Sequence, residues 1–131
     1  MSPFKWPLSR ILLVLLAFGF LLLFLQVALF HSRQNFRHWS MWTPVIEGPL
    51  TSLLLLTLAL YPSPMLKKLT TGFLAIGILS GLGGFALHTR GVGQRVGGYT
   101  TDNLRVGPPL TLPLIMAALG GLGVLAINWR Y

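Results

Sequence analysis

The sequence predicts an all-α membrane protein with four transmembrane helices, a pattern that can be read as a duplicated helical hairpin. Three observations carry this. Of its 131 residues, 53% are hydrophobic and only 9% charged, against about 25% charged in ordinary soluble domains. Apart from Glu47, the charges lie in the flanks of long apolar runs and in the short loops that join them. Four of those runs approach the ~20 residues that a helix needs to cross a ~30 Å hydrocarbon core. The length allows one compact unit, so residues 1–131 are read as a single four-helix transmembrane domain, with helices at about 8–30, 44–61, 66–88 and 108–128 and no soluble domain.

The first run, Leu8 to Phe30, is broken only by Ser9, Arg10 and Gln26. It is long for the apolar core of a secretory leader and lacks an A-x-A-like exit, so it reads as a span. Thr43 and Pro44 have the order of an N-cap and a first-turn proline, which puts Glu47 in the opening turn of the second helix, where exposed amides favour a carboxylate. A second reading of Glu47 stands beside this one. It is the chain's one glutamate, and ionisable groups inside membranes tend to handle protons or hold ligands. Pro49 removes one hydrogen bond inside this helix and bends it, and Pro62, Ser63 and Pro64 end it.

The third helix is rich in small residues. Gly77 with Gly81 forms a G-x-x-x-G spacing and Ser80 with Gly84 a second small pair, so one face admits close approach of another helix. Helix four, with Ala117 and Gly121 among its small residues, is the natural partner.

Ten Lys and Arg against two acids give a formal charge of +8. Because these charges lie in short flanks and loops, they suit lipid phosphates or an acidic neighbour rather than nucleic acid. There is no cysteine, which excludes disulfides and thiol chemistry. Four crossings put both termini on one side with Lys5, Arg10, Lys67, Lys68 and Arg130, opposite Arg33, Arg37, Arg90, Arg95 and Arg105. The basic residues tie at five a side, so the positive-inside rule does not decide. The lysines favour cytoplasmic termini. Trp6 and Trp129 make one interfacial belt, Trp39 and Trp42 the other.

The two segments on the second side echo each other. Phe-His-Ser-Arg at 30–33 matches Leu-His-Thr-Arg at 87–90, and Gly-Pro-Leu-Thr at 48–51 resembles Gly-Pro-Pro-Leu-Thr at 107–111. Either the chain is a duplicated hairpin or the likeness is fortuitous. If the echo is real, His31 and His88 emerge at similar depth on the same side. Two readings of them stand: axial ligation of haem b or of a chlorophyll-type magnesium, or a place at a polar interface where both hydrogen-bond loop backbone. Arg33, Arg37, Trp39, Trp42, Arg90, Arg95, Tyr99 and Arg105 form a basic aromatic face of the kind that contacts other membrane subunits or lipids. The nineteen-residue second loop, with its five glycines, is expected to need such a partner to hold it.

The segment GFALHTRGVGQRVGGY, followed by NLRVGPPLTLPL and preceded by the MWTP of Met41 to Pro44, resembles a family of small uncharacterised four-helix bacterial membrane proteins with a G-F-x-x-H-x-R-G, G-G, G-P-P pattern. The resemblance covers most of residues 30–115. It implies the fold and a bacterial inner or photosynthetic membrane, and it brings no catalytic residues.

No triad, carboxylate pair or phosphate loop can be assembled. G-V-G-Q-R-V-G-G follows a membrane helix rather than a strand, so its dinucleotide-binding context fails. The expected function is a non-catalytic accessory subunit of a multi-subunit membrane complex, photosynthetic or respiratory, that docks through the basic aromatic face. The alternatives are a haem b or (bacterio)chlorophyll carrier using His31 and His88, and a small transporter or lipid-binding protein using Glu47.

Overall fold

A computed structural model describes residues 7–129. Lys5, Trp6 and Arg130 lie outside the described residues. The chain forms α1 (Leu8–Ser32), a 3-10 turn (Trp39–Met41), α2 (Trp42–Leu60), α3 (Pro64–Arg95), the short α4 (Thr101–Val106) and α5 (Thr111–Asn128), with no strand among the described residues. Four helices, α1, α2 with its leading turn, α3 and α5, are long and apolar enough to cross a membrane. This marks a multi-pass membrane protein.

The element boundaries have local causes. After α1 the chain turns through Asn35 and Phe36, both in the left-handed region at φ 53° and 47°. That conformation is uncommon for a bulky residue. Here Phe36 is held by stacking on Trp42, with ring centroids 4.1 Å apart, and by an edge contact with His31. His38 caps the 3-10 turn by accepting from the Ser40 amide, and α2 follows without a break. The helix therefore begins at Trp42 rather than at Pro44, with Met41 as its N-cap and no acid in its first turn. This corrects the reading of Glu47. It lies in the second turn, out of reach of the terminal amides, and is buried.

Helix α3 starts with Ser63 accepting from the Leu66 amide at 3.1 Å and Pro64 in the first position, a favourable pairing for a helix start. It continues to Arg95, seven residues beyond the expected end at His88. The supposed glycine-rich loop is thus part helix. Its glycines carry the packing: a side chain at Gly91 would meet Pro108 at 3.1 Å, and one at Gly93 would meet the Tyr99 ring, whose hydroxyl donates to the Thr89 carbonyl. Left-handed Gly97 and Gly98 then turn the chain into α4, which Thr100 caps at the Asn103 amide. Gly107 is extended ahead of Pro108, as the proline ring requires, so α5 begins at Thr111 and not at 108.

Hairpins α1–α2 and α3–α5 pack side by side, with α2 against α3 and α1 against α5. The core is built on Leu13, Leu16, Phe20 and Leu23 of α1 with Leu55, Leu74 and Met116 of the other three helices. Ser52 locks the first hairpin, donating to the Ala17 carbonyl at 2.8 Å. In the second hairpin a Cβ at Gly81 would lie 2.6 Å from the Pro113 carbonyl oxygen and 2.7 Å from the Ala117 nitrogen, and one at Gly84 would lie 3.2 Å from Pro113. These are backbone-to-backbone approaches that a side chain would prevent. The partners on α5 differ from the sequence reading. Gly121 faces open space, whereas Gly120 and Gly123 receive Ile78 and Leu74. Gly77 meets Glu47 of α2 instead of α5. Outward-facing Leu15, Phe18, Leu22, Leu53, Leu79 and Leu122 are exposed, as lipid contact permits.

Candidate functional site: a cavity between the hairpins

Toward the end of the bundle where α1 and α3 finish, the hairpins separate around a cavity of about 700 Å³, within the ~300–1,000 Å³ of small-molecule sites. Its deep end is formed by Ser80, Gly81 and Met116, its sides by Leu23, Val27 and Phe30 of α1 and Leu112 and Pro113 of α5. Gly83, where a side chain would meet nothing within 4 Å, widens the α3 wall. The mouth carries Gln34, His38, Trp39, Arg90, Gln94 and Arg95. The arrangement is an apolar chamber with a basic and amide rim.

His31 and His88 both line this cavity, and each is held in the same way. The Nδ1 of His31 donates to the Met41 carbonyl at 2.8 Å, and that of His88 to the Pro109 carbonyl. Each carbonyl belongs to the residue or segment just before the next span. A carbonyl oxygen can only accept, so Nδ1 carries the hydrogen and the neutral ring keeps its lone pair on Nε2. This is the anchoring that ligating histidines commonly show, with the far nitrogen tied to a backbone carbonyl and the near one free to bind. Among the described residues no three His, Asp or Glu side chains come together to hold a metal ion. A metal placed here must therefore bring most of its own ligands.

The other residues singled out from the sequence divide. Trp39, Arg90 and Arg95 belong to the mouth, where the Arg90 Nε donates to the Gln94 side chain at 3.1 Å. Arg33, Arg37, Trp42, Tyr99 and Arg105 do not line the cavity. Arg33 lies over the Phe30 ring at 5.7 Å, Trp42 is taken up by Phe36, and Arg105 faces Asp102 at 3.6 Å on the exposed side of α4. Gln34, Gln94 and Met116 were not singled out from the sequence; of these only Gln94 carried a signal, one helical turn from Arg90. Ser80, read there as a packing residue, stands at the deep end and donates to Glu47 Oε2 at 2.8 Å, with Met116 Sδ at 3.9 Å.

No protein-family model, curated protein or solved structure matches the chain.

Proposed function

We propose that this protein holds a metal-centred macrocycle, haem b or a chlorophyll-type pigment, between its two hairpins, with His31 and His88 as the axial donors. The observation that supports this is the pair of imidazoles at one chamber, each with its far nitrogen anchored to backbone and its lone pair free. A macrocycle supplies four equatorial nitrogens of its own, which suits a site with two protein donors and no third. Its apolar body matches the chamber walls, and its carboxylate or ester edge matches the rim of Arg90 and Arg95. The matched anchoring also supports a duplicated hairpin as the origin of the fold. The setting proposed is a bacterial inner or photosynthetic membrane with cytoplasmic termini.

Absorption spectroscopy of the full chain purified from a haem-producing host tests this. A Soret band is expected, shifted or lost in His88→Ala and in His31→Ala. A colourless protein that also takes up neither haemin nor a chlorophyll in titration, or a spectrum unchanged in the double variant, overturns the reading. Mass spectrometry of the extracted protein would then report whether a phospholipid occupies the chamber instead.

A second reading is an accessory subunit of an electron-transfer assembly. It draws on Trp39, 77% exposed at the mouth beside His38, since exposed tryptophans flanked by arginine are common anchors of interfaces. Trp39→Ala is expected to leave stability within about 0.5 kcal/mol while releasing the chain from any larger particle seen on native gels of mildly solubilised membranes. Retention of the particle by the variant would count against that role for Trp39.

A further inference from the structure

The deep end of the cavity meets a second polar feature that ligand binding does not use. Among the described residues three buried side-chain oxygens have no hydrogen-bond partner: Glu47 Oε1, Thr51 Oγ1 and Thr70 Oγ1. All three belong to α2 and α3, which pack on each other. Thr51 lies one turn along α2 from Glu47, on the same face. Thr70 lies two turns along α3 from Gly77, again on the same face, and a Cβ at Gly77 would lie 3.0 Å from Glu47 Oε1. In this antiparallel pair the order along the bundle is therefore Ser80, Glu47, Thr51, Thr70.

Several details keep this file of oxygens apart from ordinary packing. Glu47 is 5% exposed and Thr51 and Thr70 are fully buried. Thr57 and Thr89 each return their hydroxyl to a backbone carbonyl one turn back, the usual solution for a helical threonine, whereas Thr51 and Thr70 do not. Leu74, at the level of Thr51, turns its methyl groups toward Gly123 of α5 and so away from α2. Around Glu47, α1 presents Phe20, and Phe24 beside neighbouring Gly48; α3 presents Gly77 and Ser80, and Met116 of α5 reaches Ser80. None of these titrates or carries charge.

We propose that Ser80, Glu47, Thr51 and Thr70 form a proton path that joins the cavity to the opposite membrane face, near Lys67 and Lys68. Hydroxyls both donate and accept, and buried polar groups without protein partners are commonly joined by internal water, so the file can pass a proton along a hydrogen-bonded chain with Glu47 as its one acid. Ten residues of α3 separate Thr70 from Ser80, about 15 Å of helix, and the cavity continues from there to Arg95 at the other end. Together they extend from Arg95 to Thr70, within two turns of the start of α3 at Pro64. Each O–H bond formed along the file is matched by one broken, so the net event is transfer of one proton down its gradient, with no oxidant or reductant required.

The test uses the full chain in liposomes loaded with the pH dye pyranine, with a potassium gradient and valinomycin to drive proton uptake. Uptake several-fold faster than in protein-free liposomes is expected, falling to that background in Glu47→Gln and by several-fold in Thr51→Val. Wild-type uptake at the protein-free rate overturns the proposal, as does Glu47→Gln protein as fast as wild type. Thr51→Val with Thr70→Val preserves side-chain shape, so a double variant with native gel-filtration and circular-dichroism profiles that conducts as wild type also overturns it. Absorption spectra of the same preparations report macrocycle binding separately, so either reading can fail alone.

Discussion

Gly81→Ala is expected to destabilise the bundle by about 1–3 kcal/mol, the usual cost of forcing atoms into a packed interface. A helical Gly→Ala change otherwise stabilises by roughly 0.5–1 kcal/mol, so the sign itself is informative. The cause is the contact between α3 and α5, where the new methyl would lie 2.6 Å from the Pro113 carbonyl oxygen and 2.7 Å from the Ala117 nitrogen. Both are backbone atoms, and no side-chain rotation relieves them. The helices must move apart, opening the hairpin that forms one side of the cavity. Gly121→Ala is the matched control, because nothing lies within 4 Å of its Cβ position. Unfolding of both variants in mixed micelles, followed by circular dichroism, should separate them. Equal midpoints would contradict the close approach at Gly81.

Ser80→Ala is expected to cost a further class of energy, about 1–3 kcal/mol, because it strands a buried acceptor rather than crowding a methyl. Glu47 Oε2 receives its hydrogen bond from Ser80 and Oε1 has none, so the variant would leave the whole carboxyl without a protein partner among Phe20, Gly77 and Met116. Removing both groups together is far milder. Glu47→Met combined with Ser80→Ala should therefore recover much of the loss. The same denaturation measurement checks this, and simple addition of the two single effects would refute the coupling.

The number of spans was legible because apolar runs of sufficient length admit few other structures in lipid. Helix faces were not. In a soluble helix polar residues mark the outside, but here outward-facing Leu15 and Leu13 in the core are the same residue type, so Gly120, Gly121 and Gly123 could not be ranked from sequence. The extension of α3 through Gly91 and Gly93 is a tertiary effect. Propensity disfavours glycine in helices, and contact with Pro108 and Tyr99 overrides it. Glu47 was misplaced by a local signal: Thr-Pro resembles a helix start, but a 3-10 turn capped by His38 had already begun the helix. His31 and His88 stood out through the repeated His-x-Arg, and both readings offered for them bear on the same rings, since a backbone bond on one nitrogen leaves the other available. The cavity left no trace in the sequence, because a void is a property of how four helices diverge.

That divergence has a mechanical side. Only three residues, Tyr61 to Ser63, join α2 to α3, and at the same end the start of α1 lies beside the last turns of α5, with Leu8 and Leu12 near Leu122 and Trp129. At the far end fifteen residues, 96–110, separate α3 from α5. The molecule is built like a clothes-peg, closed at one end of the bundle and open at the other. Any widening of the jaws must pivot about the Tyr61–Ser63 joint, so lever length alone makes the same angular motion large at Arg90 and Arg95 and small at Thr70.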